Sequence, residues 1–450
     1  MHHDHPNARR PKGPSVLAIC LLSPLLLFTV AQAQVEVEFW HAFTGVNAEL
    51  LEGYVADFNE SQDEYQVNPS FRGSYPETMV AAISAFRAGN APHIVQMFEV
   101  GTATMMAAGE AILPVHQLFE QTGVAFDPEI YLPAVRSYYS LPDGRMMSMP
   151  FNSSTAVMWI NEDAFRDAGL DPEVQLETWD DVRAAATAIV EADAATCGFS
   201  MAWPTWTQYE QFSAIHDVPF ATRANGFEGL DAELMINSDL HVRHLQTLID
   251  MQADGAFTYG GRDAAGDALF PSGECAILQG SSGLLARVLR EAEFDWSVQM
   301  LPHYDDVEGA PLNSVIGGAS FWVMQAPGRT DEEYTAVANF FNYLARPEVI
   351  RDWHLQSGNL PIVFGVFDEL QAEGYYDENP GRDIPYEQLT RATPTENSRG
   401  FRLGNLPEIR NIIQEEIERA FQGEQGAQQA LDTAVERGNA VLRAFERANR

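Results

Sequence analysis

The spacing of apolar residues changes back and forth between two periods. Val35-Glu-Val-Glu-Phe39 alternates with period two, as a half-buried strand does. Leu50, Leu51, Tyr54, Val55 and Phe58 then fall on one face of a helix that Asn47 can cap. Residues 65–67 read as a second strand. Ser74 starts a helix bearing Met79, Ile83 and Phe86, and Gly89 stops it. Residues 93–98 are apolar enough for a buried strand, with Glu99 and a helix start at Gly101 directly behind.

The stretch Met149-Pro-Phe-Asn-Ser-Ser-Thr-Ala-Val-Met-Trp-Ile-Asn161 marks a change of set. It places a hydroxyl- and amide-bearing cluster, Asn152–Thr155, just before a β-leaning run at 156–160. A second alternation follows. Thr178-Trp-Asp-Asp181 fits a capping box, helical patterns cover 246–252 and 284–291, and a strand is expected at 296–300. Ile316-Gly-Gly-Ala-Ser320 leads into a further apolar strand, Leu360-Pro361 closes a helical region, and two amphipathic helices end the chain. This pattern predicts an α/β protein of two lobes joined by three extended hinge crossings. The expected N-terminal lobe is 34–153 plus 318–361, and the C-terminal lobe is 154–317 plus 362–450.

Charge narrows the partners. The 450 residues carry a formal charge of −37. Residues 1–33 read as a signal peptide: Arg9, Arg10 and Lys12 precede an apolar run, and Ala31-Gln-Ala33 offers a cleavage site after Ala33. Cys20 follows Ile19, a poor setting for lipid attachment. Removing that segment takes away three bases and one acid, so −37 − 2 = −39, with no lysine left. Such a chain is not built for nucleic acid or an anionic membrane. An exported chain left with Cys197 and Cys275 suggests a disulfide, with two buried thiols as the alternative. A bridged loop of 275 − 197 = 78 residues would stabilise by about 4 kcal/mol in the chain-entropy view.

Catalytic signatures are missing: no nucleophile elbow, Walker loop, zincin motif or dinucleotide fingerprint occurs. His241-x-x-His244 could hold a metal, but a solvated helix face is the simpler reading. Ligands of open α/β sheets sit beyond the carboxyl ends of strands, which directs attention to Tyr75, Glu99, Ser154, Trp203, Trp206, Ser281 and Gly318. Two indoles around Pro204 can act as a platform for the C–H face of a polyol, or as core packing. Ser281-Ser282-Gly283 reads as a helix N-terminus that favours an anion, or as plain capping. Arg402 offers a fixed cation for an oxyanion, or a surface ion pair. Together these groups suit a small anionic polyol.

These strings resemble a known family. Ala85-Phe-Arg-Ala-Gly-Asn-Ala-Pro92, Pro150-Phe-Asn-Ser-Ser-Thr155, Ile316-Gly-Gly-Ala-Ser320 and Arg402-Leu-Gly-Asn405 are similar to the extracellular solute-binding proteins of bacterial ABC importers, in particular those for sn-glycerol 3-phosphate. The likeness runs over essentially the whole mature chain. It implies the two-lobed periplasmic-binding-protein fold of the maltose-binding, class II type. It implies a non-enzymatic, monomeric periplasmic protein without a cofactor that docks on inner-membrane ABC permease subunits. It assigns Tyr75, Ser154, Ser281, Gly318 and Arg402 to phosphate and Glu99, Trp203 and Trp206 to glycerol, and both cysteines fall where the family has cysteine. Asn359 replaces a family tyrosine, which leaves a glycerophosphodiester such as glycerophosphocholine as a second ligand. An extracytoplasmic phosphodiesterase or a pure sugar binder are the readings from other classes.

Overall fold

The computed structural model describes residues 34–450. The expected signal peptide, Cys20 and the cleavage after Ala33 lie outside these residues. Among the described residues no helix is long and apolar enough to cross a membrane.

Among the described residues ten strands form two sheets. In chain order they are β1 Val35–His41, β2 Tyr65–Phe71, β3 Ile94–Phe98, β4 Ile112–Leu113, β5 Met149–Ser154, β6 Ala156–Asn161, β7 Cys197–Met201, β8 Cys275–Ser281, β9 Trp296–Gln299 and β10 Gly317–Met324. The first sheet runs β2-β1-β3-β10-β4, with β5 also on β10; the second runs β7-β8-β6-β9. β1 lies parallel to β2 and β3, whereas β10 runs antiparallel to β3, β4 and β5. In the second sheet β7 and β8 are parallel, and β6 is antiparallel to β8 and β9.

Local rules explain most helix ends. Ser74 and Glu77 form a reciprocal capping box, and Gly89 closes that helix in the left-handed conformation at φ 75°. Thr178 and Asp181 make the second expected box. The first helix, Gly45–Glu60, starts three residues earlier than an Asn47 cap would set it, with Thr44 as its cap position.

The halves meet at a three-stranded crossing. β5 belongs to the first sheet and β6 to the second, with only Thr155 between them. Gly317 and Gly318 of β10 pair with Ser154 and Ser153, and the Leu360 N–H donates to the Ser153 carbonyl at 2.8 Å. Gly318 has φ 89°, and a Cβ there would lie 1.9 Å from the Asn152 carbonyl oxygen. Only glycine fits this approach.

Past Pro361 the chain departs from the expected boundary. The Leu132 N–H donates to Ile362 O and the Phe364 N–H to Ile130 O. Ile362, Val366, Phe367 and Tyr376 join the core of the first sheet, beside Phe39, Phe321 and Trp353. The last two helices, Leu406–Phe421 and Ala427–Asn449, share one apolar cluster with Val95 and Trp322 of the first sheet and with Phe220 and Leu245. A second core, with Met158, Phe165, Trp179 and Phe199, backs the second sheet. Cys197 and Cys275 are paired residues of neighbouring strands and form a disulfide.

His241 and His244 are not on a solvated face. Both are buried, His241 between Ser213 and Ser238 (2.9 and 2.7 Å) and His244 against Gln208 (3.0 Å). The amphipathic helix Asp239–Ala253 turns them inward with Leu245 and Leu248. Among the described residues no group of three or more ligating side chains could hold a metal. Burial lowers His241 to about 3 and His216 to about 4. Unfolding exposes these rings to their ordinary value of about 6.5, so the unfolded chain binds more protons between that value and the folded ones. Their contribution to stability is therefore full above pH about 6.5 and declines on acidification toward pH 4. Urea midpoints of His241→Gln should fall less steeply over that window than those of the wild type; parallel curves would contradict this.

Candidate functional site

A cavity of about 510 Å³ opens along the seam, where β3, β5, β8 and β10 end or cross. Eight of the nine residues singled out in the sequence line it. Tyr75, Glu99, Ser154 and Gly318 come from the first sheet and its helices. Trp203, Trp206 and Ser281 come from the second half, and Asn359 comes from the third crossing.

Each side chain is set by its local fold. The ring of Tyr75 stacks on Phe98 at 5.4 Å, and its oxygen accepts from Asn152 Nδ2 at 3.0 Å. Burial raises its pKa above the ordinary tyrosine value. Trp203 has left-handed backbone at φ 54°, held by its N–H donating to Asp263 O at 2.7 Å. Non-glycine residues adopt that conformation at a cost of order 1–3 kcal/mol, which concentrates at ligand sites. Its ring lies 6.3 Å from Tyr75 across the cleft. Trp206 opens a π-helical turn, Trp206–Glu210, the kind of wide turn found often at functional positions. The indole is only 4% exposed, and its Nε1–H has no partner among the described residues. It lies flush on the crossing: a Cβ at Gly317 would come 2.4 Å from Trp206 Cζ2.

Glu99 leads the buried polar group. Its Oε1 accepts from Arg410 Nη2 at 2.6 Å. Arg410 also grips Glu210 through Nε at 2.7 Å and Nη2 at 2.8 Å. Burial pushes the Glu99 carboxyl above the usual range despite the pull of Arg410. For Arg410 the two carboxylates overcome desolvation and hold the guanidinium charged. Two acids share one base, so the triad keeps a net negative charge.

Hydroxyl and amide groups line the cavity as well. Ser154 is 4% exposed. Ser281 Oγ accepts the Gly283 N–H at 3.1 Å and caps the turn Ser282–Leu284, which runs into the helix Leu285–Glu291. Asn359 turns its Nδ2 to Ser357 Oγ at 2.9 Å, while its carbonyl accepts from His354 Nδ1 at 2.6 Å. The amide thus faces Gly283: a Cβ placed there would lie 3.5 Å from Nδ2.

Arg402 is the exception, for it does not line the cavity. Phe401 and Leu403 are buried on either side and turn the guanidinium the other way. It lies 4.2 Å over the Phe227 ring and donates to Tyr138 O at 2.7 Å. Burial lowers its pKa to about 10. The cavity's inner cation is Arg410, eight residues on. Leu406, Arg410, Ile413, Ile417 and Ala420 form one buried stripe of the helix, so a charged residue at a core position was the available signal. Asp267, Arg287 and Arg290 also line the cavity, and no motif marks them in the sequence.

This two-sheet architecture with a seam cavity matches known proteins. The model for the bacterial extracellular solute-binding protein family matches residues 44–350. The sn-glycerol-3-phosphate-binding periplasmic protein UgpB of Rhizobium meliloti is 45% identical over 414 residues, 92% of this chain and 95% of that one. Its namesake from Salmonella typhimurium is 44% identical, covering 93% and 95%. Among solved structures, UgpB from Mycobacterium tuberculosis in complex with glycerophosphocholine aligns with TM-score 0.76 at 19% identity, covering 91% of this chain and 98% of that one. Maltose-bound T. maritima MalE3 aligns at 0.74 with 14% identity, covering 90% and 99%. The chain belongs to the bacterial extracellular solute-binding family and has its two-lobed fold. Within that family it is a periplasmic binding protein of the UgpB type, serving an ABC importer by binding rather than by catalysis.

The contact between Gly317 and Trp206 can be tested without ligand. Gly317→Ala should displace the indole and shift tryptophan emission while the far-ultraviolet circular dichroism stays the same; unchanged emission would contradict the geometry.

Proposed function

We propose that the cleft captures sn-glycerol 3-phosphate and hands it to the inner-membrane permease of its importer. The observation that carries this reading is the division of the cavity into two chemistries. One set of lining residues, Ser154, Ser281 and Gly318, offers hydroxyl and backbone donors, together with the Tyr75 hydroxyl. The other offers a buried acid, Glu99, beside two indoles, one with an unpartnered N–H. Phosphate oxygens accept; glycerol hydroxyls donate to Glu99 and present C–H faces to Trp203 and Trp206. The relatives named for this ligand, at 44–45% identity, support the assignment.

The magnitudes are consistent. Micromolar binding needs about −8 kcal/mol. Spread over about ten non-hydrogen atoms this is roughly −0.8 each, inside the ceiling of about −1.5 for very small ligands. Charge-assisted hydrogen bonds in a cleft closed to water supply it, and closure turns on the crossing at Ser153–Ser154, Gly317–Gly318 and Asn359–Pro361. The protein acts as a monomer, exported and cleaved after Ala33.

Asn359 favours a second ligand of the same class. Its amide is turned to Ser357 and is shorter than a tyrosine, so space remains for an alcohol esterified to the phosphate. A glycerophosphodiester such as glycerophosphocholine fits that space.

Calorimetry with sn-glycerol 3-phosphate, glycerophosphocholine, glycerol and maltose tests the reading. Micromolar binding of a phosphorylated ligand, recovered intact, is expected, with affinity within about twofold of wild type in Arg402→Ala. Preference for glycerol or maltose, or loss of binding in Arg402→Ala, would overturn it.

A further inference from the structure

Among the described residues, one carboxylate lining the cleft forms no salt bridge. Asp267 sits on the short turn Asp263–Ala268, which is pressed onto the exit of β7: a Cβ at Gly266 would lie 2.2 Å from Met201 O. Among the described residues the Asp267 Oδ1 is buried without a hydrogen-bond partner. It faces β8, 3.8 Å from where a Cβ at Gly280 would stand. Trp203 approaches from the exit of β7 and Arg287 from the helix Leu285–Glu291. Arg287 directs its Nε to Glu291 at 2.7 Å. On the turn itself Asp263 is the other titratable side chain, and Arg262 beside it is held by Glu418.

The other acids of the cleft are paired. Glu99 and Glu210 share Arg410, and Glu291 binds Arg287 and Arg290. The charged lining residues are Glu99, Asp267 and Glu291 against Arg287, Arg290 and Arg410. Those six cancel, and Glu210 behind Arg410 takes the sum to −1. A phosphate dianion entering this cavity meets no net positive charge. Burial already pushes the Asp267 carboxyl up to about 7, against the pull of Arg287 and of the Trp203 indole. Among these acids, a proton costs least on the group that has no cation and one desolvated oxygen.

We propose that capture of the phosphorylated ligand is coupled to uptake of one solvent proton by Asp267, which makes this residue a determinant of affinity across neutral pH. The inference rests on the phosphate reading above. Its sign follows from linkage. Below the carboxyl's own titration the proton is already in place. Above it, binding must bring the proton in, so apparent affinity falls as pH rises, approaching tenfold per unit for one proton.

The test is calorimetry of the purified protein with sn-glycerol 3-phosphate between pH 7.0 and 8.5, in two buffers of different ionisation enthalpy. A phosphate monoester, with its second ionisation at about 6, is already a dianion there. The wild type should take up close to one proton per ligand at pH 8.5 and bind about tenfold more weakly than at pH 7.0. Asp267→Asn should show no uptake and less than about twofold change. Infrared difference spectra of the wild type at pH 8 should gain a protonated carboxyl band on ligand addition, a readout that does not depend on the variant folding. Binding without uptake, or uptake that persists in Asp267→Asn, overturns the proton coupling alone. No binding at any pH overturns the phosphate reading, and the coupling with it.

Discussion

The guanidinium of Arg410 is shared by two buried carboxylates drawn from distant parts of the chain, and the cleft depends on that sharing. Glu99 follows β3, Glu210 ends the π-helical turn after β7, and Arg410 stands on the helix Leu406–Phe421. A charge removed from water is tolerated only with close partners. Here each ion satisfies another, so three segments from both halves are tied at one point. Trp206 begins the turn that Glu210 ends, so fixing the acid also fixes the indole. The residual negative charge leaves Glu99 an acceptor for donors arriving from the cleft, which is what a polyol brings.

The second constraint is steric. Where the halves cross, Gly318 lets β10 approach the Asn152 carbonyl, and Gly317 lets the strand pass under Trp206. These glycines bring Ser153 and Ser154 beside the third crossing, through the hydrogen bond from Leu360. In the proposed reading, pivot and binding wall are the same few residues. A ligand held by Ser154 and Gly318 on one side and by Ser281 on the other has differential contact with the closed arrangement, the condition for driving closure.

Much of this was legible in the sequence, for physical reasons. Caps at Ser74 and Thr178 are local and survive any tertiary context. Period-two alternation exposed β1, and seven cleft-lining residues were found because ligand groups follow strands, with Asn359 reached through the family resemblance. Other parts were hidden. β5, β7 and β8 are buried almost throughout, so they lack the alternation that betrays a half-exposed strand. Arg402, flanked by glycines, looked like a poised cation; its neighbours Phe401 and Leu403 take the core side and send it elsewhere. Arg410 belongs to no motif, because its charge is answered only by residues 200 and 311 positions away. The His241–His244 pair shows the same limit: a polar pattern cannot tell solvent from a satisfied interior.

The central claim is that the cleft orients its ligand, polyol toward Glu99 and the indoles, phosphate toward the crossing. A crystal structure of the complex with sn-glycerol 3-phosphate measures this directly. The account predicts phosphorus among Ser154, Ser281 and Gly318 and a glycerol hydroxyl on Glu99, with the Arg410 triad intact. A ligand bound in the reverse sense, or one that displaces Glu99 from Arg410, would contradict it.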